Sequence, residues 1–161
     1  MRLSARVDYA LRAAVELAAA AGAPAGSDGA GRRTAPVTAE QLAKAQDIPP
    51  KFLESILLQL RRGGIVHAQR GPEGGYWLAR PAEDISLAEV IRVIDGPLAH
   101  VRGQRPENLG YQGAAVALQE VWIALRASER QILESVSIAH VAGNRLPTPV
   151  RELADDPDAW S

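Results

Sequence analysis

Residues 38–80 constrain the fold most, because two short helices, a glycine stop and a glycine-rich hairpin follow one another with almost no linker. Thr38-Ala39-Glu40-Gln41 is a capping box, with Thr38 as N-cap and Gln41 at the third helical position. The helix it opens runs to about Ala45 and turns Leu42 and Ala43 inward. Gln46-Asp47-Ile48-Pro49 reads as a turn, and Pro49 or Pro50 suits the first turn of a second helix. That helix spans about 50–62. Phe52, Leu53, Ile56, Leu57 and Leu60 form its apolar face, and Lys51, Glu54, Ser55 and Arg62 lie opposite. Gly63-Gly64 ends it. IVHAQR (65–70) and YWLAR (76–80) are β-prone and flank GPEGG, which is hairpin chemistry. A helix-turn-helix followed at once by a hairpin is a winged helix.

The rest of the chain frames this unit. Residues 4–21 read as a helix capped by Ser4, with Val7, Leu11, Ala14, Val15 and Ala18 at helical spacing. Residues 22–36 are rich in Gly, Ala and Pro and read as a flexible surface loop that carries Arg32-Arg33. Ser86-Leu87-Ala88-Glu89 is a second capping box, and Gly96-Pro97 stops its helix. A long helix is expected over about 113–135, and Ser137 then caps a short turn over Ile138–Val141. The expected fold class is therefore mainly α with a small β-hairpin wing. The chain divides into a winged helix-turn-helix domain (1–97), an irregular loop (98–113), a long helix with a final short one (114–142) and a flexible acidic tail (143–161).

Composition narrows the function. Of the 161 residues, 47% are hydrophobic and 23% charged, with a single Phe and three each of Trp and Tyr. The core must be aliphatic, which leans helical. There is no cysteine, so disulfides, thiol nucleophiles and thiolate-held metals are excluded, and a cytoplasmic address is the simplest. Asp8 and Glu16 interrupt the first helix, so it does not read as a signal peptide, and no apolar run is long enough to span a membrane. The net charge is −1. It divides unevenly, +4 over residues 1–81 and −5 over 82–161, as expected if the first half faces a polyanion. Enzyme chemistry finds little support. His67, His100 and His140 are far apart, and Gly71-Pro72-Glu73-Gly74-Gly75 lacks the Gly-Lys-Ser/Thr ending that holds nucleotide phosphates.

Double-stranded DNA is the partner with a mechanism. Lys51, Glu54 and Ser55 sit at the start of the second motif helix, where side chains reach base edges in the major groove. Arg70, beside Gly71 at the hairpin tip, suits a narrow minor groove. Thr38, Arg61 and Arg62 suit phosphates, which set register rather than sequence. Pro49 and Pro50 complete the set at the helix start. Leu58 falls oddly on the polar side, either packed on another element or against a thymine methyl. On the long helix, Leu118, Val121, Trp122, Leu125 and Ile132 make an apolar seam. It packs either on its own domain or on a second copy, and the second is favoured because the winged helix already supplies a compact core. The competing class is a winged helix that binds protein rather than DNA.

Several segments together resemble a known family: Arg2-Leu3-Ser4 with Asp8-Tyr9-Ala10-Leu11-Arg12-Ala13, Ile48-Pro49-Pro50-Lys51-Phe52-Leu53-Glu54, Gly64-Ile65-Val66, Arg70-Gly71-Pro72-Glu73-Gly74-Gly75-Tyr76, Ile85-Ser86-Leu87 and Asp95-Gly96. Over about residues 1–140 the chain resembles the Rrf-type bacterial winged-helix transcription regulators, the IscR and BadM relatives. The resemblance implies a homodimer built on the long helix, a palindromic operator and, at family level, a repressor. It also implies base contacts from Pro49, Lys51 and Glu54, with Arg70 in the minor groove. Many such regulators hold an iron–sulfur cluster on three cysteines in the loop before the dimerisation helix. Residues 98–113 contain none, so the chain resembles the cluster-free members, with no metal and no cofactor implied. Asp8, a cluster ligand in some relatives, then reads as a helix-surface residue. His100, Arg102, Arg105 and Tyr111 remain in that loop as an expected effector site, set against an ordinary polar loop, a protein effector or no effector at all.

Overall fold

A computed structural model describes residues 2–22 and 36–160. Arg32 and Arg33, with most of the 22–36 loop, lie outside the described residues. The elements run α1 (Ala5–Gly22), α2 (Ala39–Gln46), α3 (Pro50–Arg62), β1 (Val66–Gln69), β2 (Gly75–Leu78), α4 (Leu87–Asp95), α5 (Leu118–Ser135), α6 (Ile138–Ala142) and α7 (Thr148–Asp155).

Local chemistry sets the boundaries. Both capping boxes form: the Thr38 hydroxyl accepts from Gln41 N–H and the Ser86 hydroxyl from Glu89 N–H, and each Gln or Glu side chain returns to its cap. Ser137 and His140 close a third cap on α6. Pro49 precedes α3 and Pro50 opens it. Asp47, at φ 50, turns the chain between the two motif helices. β1 and β2 pair antiparallel with Val66 opposite Leu78 and Gln69 opposite Gly75. Val37 then adds a bridge to Tyr76, with hydrogen bonds of 2.9 and 2.8 Å, which pins the wing to the residue before the α2 cap. Gly75 is needed there: its φ is +152, and a Cβ would lie 2.7 Å from the Val37 carbonyl oxygen.

The core is aliphatic. Leu17 and the alanines of α1 pack with Leu42, Leu53, Ile56, Leu57, Leu60, Ile65 and Val66. Phe52 is a correction. It is 50% exposed and lies at the edge of α3, its ring tilted against Tyr9 at 6.2 Å, because the core side of α3 is filled by Leu53, Ile56, Leu57 and Leu60.

Three further departures carry physical reasons. First, the long helix begins at Leu118 rather than 113. Gly113 takes φ +59 and opens an isolated 3-10 turn, Gly113–Ala115. Second, the core is closed by residues well beyond 97. Ile138 is fully buried in it, Ile138 N–H donates to Ile85 O at 2.8 Å, and Leu87 N–H donates to Val136 O at 2.9 Å. Third, the acidic tail holds α7 and a 3-10 turn, Pro157–Trp160, where composition alone predicts a flexible segment. Pro149 in the first turn of α7 presets helical φ and starts that helix.

Candidate nucleic-acid interface

The second motif helix has two distinct sides. With Leu53, Ile56, Leu57 and Leu60 inward, the 100° rotation per residue leaves Lys51, Leu58 and Arg62 pointing most directly outward, with Glu54 beside them. All four are exposed. Leu58 is 45% exposed and stands in the middle of this stripe rather than against another element.

Ser55 behaves differently from its neighbours. Its hydroxyl donates to Phe52 O at 3.0 Å and accepts from Arg6 Nη1 at 3.1 Å. The same Arg6 donates to Gln59 Oε1 through its other Nη. The hydroxyl's one proton is thus committed inside the protein. α1 also grips the motif further along. Arg12 donates to Gln46 O at 2.7 Å, pairs with Asp8 at 2.8 Å and lies over the Tyr9 ring, while Gln46 donates to Glu16 at 2.7 Å. Asp8 is the helix-surface residue expected. Arg6, Tyr9, Arg12 and Glu16 thus form a clasp on α2 and α3. Their spacing along one edge of α1 was the available signal, and reading only the buried stripe of that helix overlooks it.

The remaining positions come from three elements. Pro49 and Pro50 are exposed at the start of α3, and Arg61 and Arg62 are exposed in its last turn, where cations suit the helix dipole. Arg70 and Gly71 are exposed in the wing loop, with Gly71 at φ +110. Thr38 is exposed although its oxygen accepts the cap bond, and the Val37–Tyr76 bridge holds it beside the wing.

The seam on α5 divides into two stripes. Gln119, Trp122, Arg126 and Leu133 face the chain's own loop and α4. Trp122 Nε1–H donates to Tyr111 Oη at 2.9 Å, Gln119 donates to the Leu109 carbonyl at 2.7 Å, Arg126 pairs with Glu107, and Leu133 packs with Val7, Ala88 and Ile91. Leu118, Val121, Leu125 and Ile132 lie on the neighbouring stripe and are 36–53% exposed. Trp122 therefore stands apart from the other four seam residues.

The loop residues do not gather. His100 borders a cavity between α4 and α5, and Arg102, Arg105 and Tyr111 are not among its lining residues. Arg102 is exposed at φ 54 in the tight turn bridged by Val101 and Gln104.

Arginine partners hold three glutamates below their ordinary pKa. For Glu134 the largest cause is the hydrogen bond from Arg92, followed by that from Arg130. Glu107 is lowered by its own backbone N–H and by Arg126. Burial pushes Glu89 up, but the Ser86 N–H and Arg80 outweigh it. A carboxylate whose folded pKa is depressed contributes stability above its unfolded pKa, about 4.3, and loses it as pH falls through the folded value. The Arg92–Glu134 pair joins α4 to α5, so Glu134→Gln should flatten the acid limb of unfolding below about pH 4.3. Urea titrations across that range check this. An unchanged acid limb removes Glu134 from the acid transition.

A winged helix with an open reading helix and an arginine-bearing wing defines a DNA-binding transcription regulator. The chain belongs to the Rrf2 family, described as "Iron-dependent Transcriptional regulator", which it matches over residues 3–144. It is 49% identical over 156 residues, 97% of its own length and 90% of the relative's, to the Mycobacterium tuberculosis H37Rv protein named "Putative HTH-type transcriptional regulator Rv1287". It is 32% identical over 152 residues, 92% of each chain, to the IscR of Cereibacter sphaeroides. Its fold is similar to the crystal structure of CymR, the global cysteine regulator of Bacillus subtilis, with TM-score 0.71 and 26% identity over 89% of this chain and 98% of that one. These relatives are transcription regulators rather than enzymes. The family's iron does not fit the residues present. The chain has no cysteine, and among the described residues no three His, Asp or Glu side chains form a group able to hold a metal ion. Among those residues, too, no helix is long and apolar enough to cross a membrane.

Proposed function

We propose that the protein acts as a homodimeric, sequence-specific repressor that binds a palindromic operator without an iron–sulfur cluster. The observation that carries this reading is α3: one side is fully committed to the core, while Lys51, Glu54, Leu58 and Arg62 stand open on the other. Glu54 accepts from a cytosine amino group, and Lys51 meets a base or a phosphate. Arg70 enters the minor groove beside Gly71. Thr38, Arg61 and Arg62 clamp phosphates, with Pro49 and Pro50 bringing the start of α3 against the groove. Leu118, Val121, Leu125 and Ile132 of α5 meet the same residues of a second copy. Two wings then face two half-sites about one helical turn apart. Loop 98–113 borders the place where an effector would act.

Selection of bound sequences from random duplex DNA at physiological salt tests this directly. A palindrome should be enriched. An unenriched pool would overturn the reading in favour of a winged helix that contacts protein. On the enriched duplex, Arg70→Ala should weaken specific binding by about 5–150-fold, the range for loss of one good base contact. If Lys51 meets a phosphate, Lys51→Ala should lower the log–log salt slope by about one. An unchanged slope would move Lys51 off the backbone.

A further inference from the structure

A cavity of about 450 Å³ lies between the C-terminal turn of α4, residues 96–101 and α5. That volume is typical of small-molecule sites. Ile91, Leu98, Val101 and Trp122 give it apolar walls. Charges of both signs border it: Arg2 and the imidazole of His100 on one hand, Asp95 and Glu129 on the other. Arg102 and Arg105, the strongest charges of the loop, are not among the lining residues, so the lining is not that of an anion site.

We propose that this cavity binds a small zwitterion with a flat apolar body, an α-amino acid with an aromatic side chain being the simplest example. Its ammonium group is held by the Asp95 carboxylate and its carboxylate by Arg2 and His100. The body lies on Trp122 and the aliphatic wall. A plain anion would meet two carboxylates in the lining, and a plain cation would meet Arg2; like charges at such range repel. Only a ligand carrying both charges uses the whole border.

The site has a mechanical route to the reading helix. Ile91 and Asp95 of α4 line the cavity. Val93 of the same helix presses on Gly63, the residue that ends α3: a Cβ at Gly63 would lie 2.5 Å from Val93 Cγ2. Arg92, between them, ties α4 to Glu134 of α5. One rigid helix therefore touches the ligand cavity, the long helix and the end of the reading helix. A ligand that favours one placement of α4 shifts α3 with it. This coupling rests on the DNA reading above; the cavity assignment does not.

The test uses the full chain and three probes: L-phenylalanine, phenethylamine and phenylacetate. The readout is the indole N–H signal of Trp122 in ¹H–¹⁵N spectra, assigned by its loss in Trp122→Phe. L-Phenylalanine should shift that signal, leave those of Trp77 and Trp160 in place, and bind several-fold more tightly than either single-charge probe. Asp95→Asn, a substitution at an exposed position, should erase its advantage over phenylacetate. Val101→Phe should fill the cavity and abolish the shift. No Trp122 shift with millimolar L-phenylalanine, or an undiminished shift in a folded Val101→Phe protein, would overturn the site. L-Phenylalanine should also change affinity for the enriched duplex in the parent protein and not in Asp95→Asn; an unchanged affinity would overturn the coupling. A protein that shifts as expected yet enriches no duplex would uphold the cavity assignment and remove the DNA reading instead.

Discussion

Val121→Glu should leave the chain folded, make it monomeric and lower its affinity for the selected duplex by about 10²–10⁴-fold, the loss expected when two linked half-site contacts become one. The substitution is mild for the single chain. Val121 is 53% exposed, and none of the residues of α5 is buried. Surface positions of this kind change stability by about 0.5 kcal/mol or less. Across a two-fold axis the consequence is different. An isologous interface repeats every change, so two carboxylates enter one apolar contact. The inner stripe of α5 provides the control. Gln119, Trp122 and Arg126 already have partners in their own chain, so Gln119→Ala should weaken the loop without changing the oligomer. Sedimentation equilibrium reads the first effect and fluorescence anisotropy on the duplex reads the second. A Val121→Glu protein that remains dimeric would place the contact elsewhere.

The motif at residues 38–80 was legible because its signals are local. A cap oxygen three residues from its N–H, a proline at a helix start and paired glycines after a helix each act within one turn. The same locality explains what stayed hidden. Apolar residues at 118, 121, 122, 125 and 132 look like one seam, yet they divide between two adjacent stripes. Trp122 joins the inner one because Tyr111, from an irregular loop, meets its N–H. No spacing rule anticipates that partner. Ser55 reads as an open polar residue until Arg6, 49 positions earlier, is seen to hold it. Leu58 was visible as an anomaly, and only its 45% exposure decides between its two explanations. Alanine propensity carries the long helix back to 113, but a glycine at φ +59 and the absence of a side-chain cap at Ala117 let it start at Leu118. The loop arginines suggested an effector site by charge, whereas the cavity is assembled by Arg2, Asp95 and His100 from three separate segments.

Ile138→Ala should destabilise the whole molecule by about 2–5 kcal/mol, the range for a large aliphatic cut down to alanine in a packed core. The residue lies forty-one positions beyond the expected end of the DNA-binding domain, so an independent 1–97 unit would be indifferent to it. The packing says otherwise. Ile138 has no exposed surface and shares a cluster with Leu42, Leu53, Ile56 and Leu57, residues of both motif helices. The chain enters this site through backbone bonds, Leu87 N–H to Val136 O and Ile138 N–H to Ile85 O, which lock it to the start of α4. α5 is thereby anchored at its far end to the core that carries the reading helix. A shift along α5 then reaches α3 through packed side chains rather than a loose tether. Urea unfolding of Ile138→Ala should show a lower midpoint with an unchanged slope, the signature of lost stability without lost cooperativity. Ile132→Ala, at a position 36% exposed, gives the contrast and should move the midpoint far less under conditions where the chain is monomeric. Equal shifts for the two, or a chain ending at residue 97 that folds with native stability, would show that α6 is an ornament on the domain and not part of its core.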